Sequence, residues 1–535
     1  MKKIKEKKNH SLHKNGLELI VVGGVTGVFA GLVVTVYNLL MHNAESLARD
    51  WYATVRANPA WLPVLLLTLA LGAFFVGVLV QISSVVRGCG IPQAEGATRG
   101  IVPLKWFRDM TAMFAASITS VLMGLSIGAE GPSVLIGACA GDGVASTLKR
   151  DHLVRKYQAT GGACAGLAVA SNAPLTGMAF AFEEAYKRFT PEVFICSFSS
   201  VIFGILTRSA IYQALGMDLQ SAFHSFVFQE MPLGDYLYAV GAGLACGLLG
   251  VGFYWLCFLM RALFRKIKMQ KQSYTHILRI AAATFIGGTV SLLAAEVMGG
   301  GHELIESLGT LGGTAQPTTE SVFGLPIVWT LTIVLILKSL VTAVNVGSGL
   351  PCGIFIPIIA IGACVGGILN RLWLALGMSA TYCDLMTMIC MAAFFTTIVR
   401  APITAIVMIC EFTGSFAPLL PVIIAVSIGY MIGELFHADG IYEALLEAYE
   451  HESGIHEQAV REVYEFTVAH GAMADRRALR DVLWPTGARV REIVRGDEHI
   501  FPHGDTVLRG GDVVTVVCTT SQREKVKEEL AHILG

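Results

Sequence analysis

Apolar residues run through this chain in blocks too long and too continuous for the half-buried strands or short amphipathic helices of a soluble fold. Runs at about 17–41, 62–86, 108–127, 192–207, 236–260, 278–297 and 325–345 reach or approach the roughly 20 residues that a helix needs to cross a bilayer. Shorter or broken apolar stretches lie between them. Polar patterning dominates only at the two ends. Residues 1–16, MKKIKEKKNHSLHKNG, carry six lysines and one acid, and beyond His451 charges become frequent again. There Asp512-Val-Val-Thr-Val-Val-Cys518 has the character of a strand. The pattern predicts an all-α polytopic membrane domain over 17–449, a linker at 450–460, and a small α/β domain over 461–535.

Composition narrows the class. Of 535 residues 54% are hydrophobic and 15% charged, against about a quarter charged in soluble domains. Disorder, a nucleic-acid-binding body and a secreted disulfide scaffold are excluded, and the net charge of −1 names no partner. The basic start leads into a Gly-rich apolar run with no small-residue cleavage site, so it reads as cytoplasmic rather than as a signal peptide. The basic loop Arg261 to Gln272 belongs on the same side by the positive-inside rule, where it meets lipid headgroups. A multi-pass protein of the inner or plasma membrane, with both termini cytoplasmic, is expected. The twelve cysteines form no C-x-x-C pair, so neither zinc nor a disulfide framework is indicated and they read as packing residues. No metal, cofactor or enzymatic chemistry is suggested.

The chain also repeats itself. Gly128-Ala-Glu-Gly-Pro132-Ser-Val-Leu-Ile136-Gly-Ala-Cys-Ala-Gly141 aligns without a gap on Gly353-Ile-Phe-Ile-Pro357-Ile-Ile-Ala-Ile361-Gly-Ala-Cys-Val-Gly366, an offset of 225 residues (357 − 132). Ala173-Pro-Leu-Thr through Glu183 matches Ala401-Pro-Ile-Thr through Glu411 as A-P-[LI]-T-x6-E, offset by 228 (401 − 173). Small-residue packing patterns account for the glycines but not for the prolines, the Glu or the shared order. Two related halves, about 17–210 and 233–434, follow, as in many transporters. Pro is at ease in the first turn of a helix and Gly permits close backbone approach, so each G-x-x-x-P describes a helix that begins inside the membrane. Its free N–H groups and positive dipole end can face an anion. Gly88-Cys-Gly-Ile-Pro92 offers a third such start.

Glu130 lies inside one of these helix starts, and an intramembrane carboxylate is a functional candidate by default. Ionised, it would occupy the anion site itself; protonated, it would release it. Its counterpart Phe355 cannot ionise. Glu183 and Glu184 close an apolar stretch near a membrane face, where one of them passes protons to Glu130 or simply pairs with Lys187 or Arg188. No cluster of intramembrane acids is evident.

These residues resemble the CLC chloride channels and chloride/proton antiporters over about 17–449. The likeness rests on GCGIP at 88–92, GAEGP at 128–132, GIFIP at 353–357 and Tyr442. It implies a homodimer with one anion pathway per subunit, built from broken helices in two inverted-topology repeats. It implies Glu130 as gating glutamate and proton acceptor and Glu184 as internal proton relay. The anion would meet Cys89, Gly90, Ile91, Gly131, the backbone of Ile354 and Phe355, and the Tyr442 hydroxyl. Two departures stand out: Cys89 replaces the family's serine hydroxyl with a larger, weaker donor, and Ala129 replaces a basic residue beside the gate.

The tail, from Arg477 through the Gly511-Asp512-Val513-Val514 strand, resembles the TrkA-C domain, with no nucleotide-binding G-x-G-x-x-G before it. Such domains dimerise, and several bind cyclic di-AMP; Ile500, Phe501, Pro502 and His503 mark the corresponding segment. The expected function is chloride transport coupled to proton antiport, regulated by this tail. Alternatives are a passive voltage- or pH-gated channel, an exporter of another anion such as fluoride, against which Tyr442 argues, and a cation transporter suggested by the tail alone.

Overall fold

The structure is a computed structural model describing residues 2–150, 152–187, 189–217, 223, 226, 230–309, 326–414, 416, 419–452, 461–485, 487–496, 498–519 and 523–535. Arg188 and most of the expected 450–460 linker lie outside the described residues. The chain divides into two compact units, Met1–Thr98 with Val102–Ala444, and Arg99–Ile101 with Leu445–Gly535.

Along the membrane unit run α1 (Lys2–Ala57), α2 (Leu62–Ile82), α3 (Ile91–Arg99), α4 (Trp106–Leu122), α5 (Glu130–Thr147), α6 (His152–Ser171), α7 (Pro174–Phe180) and α8 (Pro191–Ala214). A second series follows: α9 (Tyr236–Arg265), α10 (Gln272–Leu293), α11 (His302–Gly309), α12 (Ile327–Ser348), α13 (Phe355–Ala375), α14 (Cys383–Val399), α15 (Pro402–Thr413) and α16 (Leu419–Leu435), then α17 (Ile441–Glu452). Among the described residues eight helices are long and apolar enough to span a bilayer. Two of them, Phe355–Ala375 and Ala380–Val399, are not among the runs picked out by hydropathy, because polar residues such as Asn370 and Asp384 interrupt them and are buried inside the protein. The first helix is also far longer than the expected 17–41. Beyond Met41 its apolar residues no longer run continuously but recur as Ala44, Ala48, Tyr52 and Val55, one buried helical face, and the Tyr52 hydroxyl donates to Met123 O at 2.6 Å.

The two halves meet backbone to backbone. Gly128 N donates to Gly353 O at 2.8 Å, closing an isolated antiparallel bridge between the two repeated glycines. On either side Ile127 N donates to Gly299 O and Cys352 N to Gly88 O, each at 3.2 Å. These two bonds are equivalents under the repeat, since Cys352 follows Ile127 by 225 (352 − 127) and Gly299 follows Gly88 by 211 (299 − 88).

The second offset exposes a third repeated element that direct comparison of the sequence did not reveal. Short 3₁₀ turns occupy Ser84–Val86 and Ala295–Val297, entered from Ser83 at φ −133°, ψ 102° and from Ala294 at φ −135°, ψ 102°. Each is followed by two glycines with positive φ, Gly88 (109°) and Gly90 (87°) in one half, Gly299 (61°) and Gly301 (98°) in the other. Only a sparse G-x-G-x4-E, ending at Glu95 and Glu306, survives in sequence. The membrane unit is thus built of two inverted-topology repeats.

A third cross-link is electrostatic. The Glu183 carboxylate accepts from Ile403 N (2.9 Å) and Thr404 N (2.6 Å) at the start of α15. Reciprocally, Glu411 accepts from Leu175 N and Thr176 N (both 2.7 Å) and from Thr176 Oγ1 (2.6 Å) at the start of α7. Each repeat's acid therefore satisfies the unpaired N–H groups and positive dipole end of the other repeat's helix.

The tail is a four-stranded antiparallel sheet of β1 (Arg461–Thr467), β2 (Arg489–Arg495), β3 (Glu498–Ile500) and β4 (Val513–Thr519) in the order β1-β4-β2-β3, followed by α18 (Arg523–Leu534). Val514, Val516 and Cys518 alternate into a core with Ile493, Leu530 and Ile533. Asp512, at the entry to β4, is buried and takes two 2.8 Å bonds from Arg495 Nε and Nη2 and a third from Arg509 N. Burial alone would push its carboxyl up, but these donors hold it below the ordinary aspartate range.

Two outcomes follow. A Cβ at residue 353 would strike Gly128 O and lie 3.0 Å from Pro132 Cδ; Gly353→Ala should lower the thermal unfolding midpoint of the detergent-solubilised protein by the equivalent of about 1–3 kcal/mol, and an unchanged midpoint would show that the crossing can relax. Because the folded-state pKa of Asp512 is depressed, its contribution is complete above the ordinary aspartate value of about 3.9 and lost as pH falls through the lower folded value. Asp512→Asn should therefore raise amide exchange in β4 at neutral pH, by the equivalent of roughly 2 kcal/mol, and abolish the acid-dependent loss seen in the parent chain.

Candidate functional site

The crossing positions the candidate residues. Because Gly128 and Gly353 are held together, α5 and α13 begin at one point, each with Pro as its third residue, Pro132 and Pro357. Their first-turn N–H groups have no acceptor within their own helices. Ile354 and Phe355 open α13, and Phe355 is fixed edge-on against Phe395 at 4.9 Å. The loop from Arg87 to Ile91 joins them: a Cβ on Gly90, at its positive φ, would run into Gly131 O, and a Cβ on Gly131 would run into Cys89 O. Only glycine allows these approaches.

Within that loop Gln93 acts as a clamp, its Oε1 accepting from Gly90 N at 3.0 Å and its Nε2 donating to Arg87 O at 2.7 Å. The Gly90 N–H, expected to face the anion, is thereby committed to a side chain. Ile91 is the first residue of α3.

Cys89 is buried, and so is Cys352, whose N–H donates to Gly88 O, the residue before Cys89, at 3.2 Å. All twelve cysteines are free and buried. For Cys89 and Cys352 the packing reading is incomplete, because the pair lies across the junction of the two halves. Residue 352 carries no sequence signal for this, as its neighbour is 263 positions away (352 − 89).

Tyr442, second residue of α17, is fully buried, and its hydroxyl has no hydrogen-bond partner among the described residues. The ionisable groups facing it are Cys89, Glu184, Glu95 and Glu130. The structure therefore brings together both expected glutamates, the expected thiol and the expected tyrosine. It also corrects one expectation: intramembrane acids do gather here, through Glu95 of α3, although no three His, Cys, Asp or Glu among the described residues are arranged to hold a metal ion.

Glu130 is the first residue of α5 and only 2% exposed. Its Oε1 lies 3.7 Å from His302 Nε2 and its Oε2 has no hydrogen-bond partner among the described residues. Glu183 and Glu184, adjacent in sequence, are separated in role by a π-helical turn over Ala181–Ala185. Glu183 leaves to cap α15, while Glu184 is buried, with Lys187 Nζ 3.6 Å from its Oε2. Lys187 is shared with Glu443, the residue after Tyr442, at 2.6 Å. Pairing with Lys187, the plainer of the two expectations for this acid pair, is thus present.

In the tail, Ile500 packs partly against the sheet core, whereas the ring of Phe501 is 85% exposed. Pro502 and His503 follow in a turn where His503 N donates to Thr506 Oγ1 at 3.0 Å.

Known proteins align with this arrangement. H(+)/Cl(-) exchange transporter ClcA of Vibrio cholerae serotype O1 (strain M66-2) is 29% identical over 454 residues, covering 82% of this chain and 90% of the relative. ClcA of Yersinia pestis bv. Antiqua (strain Angola) is 26% identical over 458 residues, 81% and 88% of the two chains. A slow cyanobacterial Cl-/H+ antiporter superposes with a TM-score of 0.71 at 24% identity, covering 80% of this chain and 97% of that one. A CLC-type fluoride/proton antiporter superposes at 0.60 and 20% identity over 78% and 96%. The TrkA-C domain model matches residues 463–531, and the voltage gated chloride channel model matches 72–434, more than half of the chain. The chain therefore belongs to the voltage gated chloride channel family.

Proposed function

We propose that this chain exchanges chloride, or a closely similar anion, for protons across the membrane. The observation that carries the reading is Glu130: a nearly inaccessible carboxylate at the N-terminus of α5, where its repeat partner is the unionisable Phe355. Ionised, Glu130 competes with the anion for the converging helix N-termini; protonated, it leaves the path. Glu184 serves as the inner relay, facing Tyr442 from the other side of the anion position. Ile354 and Phe355 supply backbone donors, Tyr442 a hydroxyl donor and Cys89 a thiol, with Ile91, Gly131 and Gly90 shaping the approach. The relatives named as exchange transporters support coupling over passive conduction. The protein works as a homodimer in the inner or plasma membrane, with the basic loop and both termini on the cytoplasmic side.

The tail is the regulatory element. Phe501 is the most exposed large apolar side chain among the described residues, and an exposed aromatic beside Pro502 and His503 fits a ligand ring or a second tail. Cyclic di-AMP is the proposed ligand.

In liposomes, an imposed chloride gradient should drive protons uphill; chloride flux without proton movement would leave only a channel. Glu130→Gln, which cannot titrate, should keep anion flux and lose proton flux, whereas intact coupling in that variant would remove Glu130 from its role. Calorimetric titration of the full-length protein with cyclic di-AMP should give saturable heat that Phe501→Ala weakens by at least tenfold; no heat in the parent chain would leave the tail as a dimerisation module.

A further inference from the structure

His302 occupies a position with no assigned role. It is the first residue of α11, and its Nε2 lies 3.7 Å from Glu130 Oε1. The Glu130 side chain is 2% exposed but that of His302 is 46% exposed, so among the described residues the imidazole offers the enclosed carboxyl a titratable neighbour that reaches the surroundings. Its ring rests on Phe223 at 5.8 Å, and Phe223 is in turn fixed edge-on to Phe412 at 5.4 Å with its N–H donating to Phe412 O.

The face on which His302 opens follows from the chain. α10 begins beside the basic loop and runs 22 residues, about 33 Å at the helical rise and enough to cross the bilayer. Leu293, the Ala295–Val297 turn and His302 therefore lie on the side opposite that loop. The repeat places Glu184 and Phe412 at corresponding positions, one after Glu183 and one after Glu411. Phe412, lining the His302 side, cannot carry a proton. His302 itself corresponds to Ile91 through the 211-residue offset (302 − 91).

We infer that His302 is the group through which Glu130 exchanges its proton with the solution on the face opposite the basic loop, an inference that rests on the reading of Glu130 given above. The step is a single proton transfer. The imidazolium Nε2–H bond breaks, its electron pair stays on nitrogen, and the proton bonds to a Glu130 carboxylate oxygen. Neutral His302 is then recharged by a proton from the bulk solution. Reversal discharges Glu130. The charged groups around the ring are mixed: Glu130 on α5, Glu45 on α1, and Glu303 and Glu306 on its own helix. Against them stand Arg49, which pairs with both Glu45 and Glu303, and Lys338 of α12, whose Nζ donates to Val297 O and Gly299 O beneath the loop.

The test uses full-length protein in liposomes, with chloride and proton fluxes recorded separately at symmetric pH from about 5 to about 8, bracketing the imidazole range. Parent turnover should inflect through that range. His302→Gln, which keeps polarity but cannot shuttle protons, should slow coupled turnover by at least roughly tenfold and lose the inflection, with the chloride-to-proton ratio unchanged. Imidazole in the bath should restore flux to His302→Ala. A Gln variant with the parent rate and pH profile overturns the inference, and so does a slow variant whose profile is unmoved and whose Ala counterpart ignores imidazole, since that marks a merely structural role. Glu130→Gln in parallel separates the two readings: if it stays coupled, the gate assignment fails; if it uncouples while the His302 variants behave as the parent, only the present inference fails.

Discussion

The Gly128–Gly353 backbone bridge is the constraint on which the rest of the membrane unit depends. Two polar main-chain segments crossing within an apolar body need internal partners, because no water is available to satisfy them. Pairing them with each other solves this and sets where everything else begins. α5 and α13 start from a common point, Pro132 and Pro357 each lie against the opposite glycine, and the loops at Gly88 and Gly299 are tied on either side. A side chain at residue 353 would run into Gly128 O and press the helix starts apart.

On the proposed reading, function arises where this two-fold arrangement is broken. Glu130 stands against Phe355, Glu184 against Phe412, Cys89 against Gly300 and His302 against Ile91. In each pair one partner offers chemistry and the other only shape. A strictly symmetric protein would have two carboxylates at the crossing, repelling one another and the anion, or none and no proton coupling. Keeping the backbone repeat while restricting the ionisable groups would allow the one anion position and one gate proposed above.

Much of this was legible in the sequence, and the limits were physical. The G-x-x-x-P and A-P-[LI]-T-x6-E repeats were visible because proline and cap residues are demanded by the helix starts themselves. The loop repeat around Gly88 and Gly299 was nearly invisible, since its geometry is a backbone property needing only glycines at positive φ; the intervening side chains diverged. Glu95, Cys352 and His302 were missed for a different reason. Each acquires its significance from a neighbour hundreds of residues away or on another helix, and periodicity carries no trace of that. Continuous hydropathy marks only the first part of the long α1, because its second part is amphipathic rather than uniformly apolar.

Charge satisfaction finally separates acids that hold the fold from acids that can carry a proton. Glu183 and Glu411 resemble Glu130 in lying against helix N-termini, though only Glu130 is buried. Both, however, accept at least two backbone N–H bonds at 2.6–2.9 Å, and removing the charge would strand those donors at a cost of about 1–3 kcal/mol each. Their carboxylates are tied into the fold by these bonds. Glu130 has one oxygen without a hydrogen-bond partner and the other beyond hydrogen-bonding distance of His302. No fixed N–H group is bonded to it among the described residues, so on the proposed reading an arriving anion can take its place and protonation leaves no N–H group stranded. A carboxylate that alternates between two states, as proposed for Glu130, needs neither of them saturated, and of these three acids only Glu130 is without bound backbone donors among the described residues.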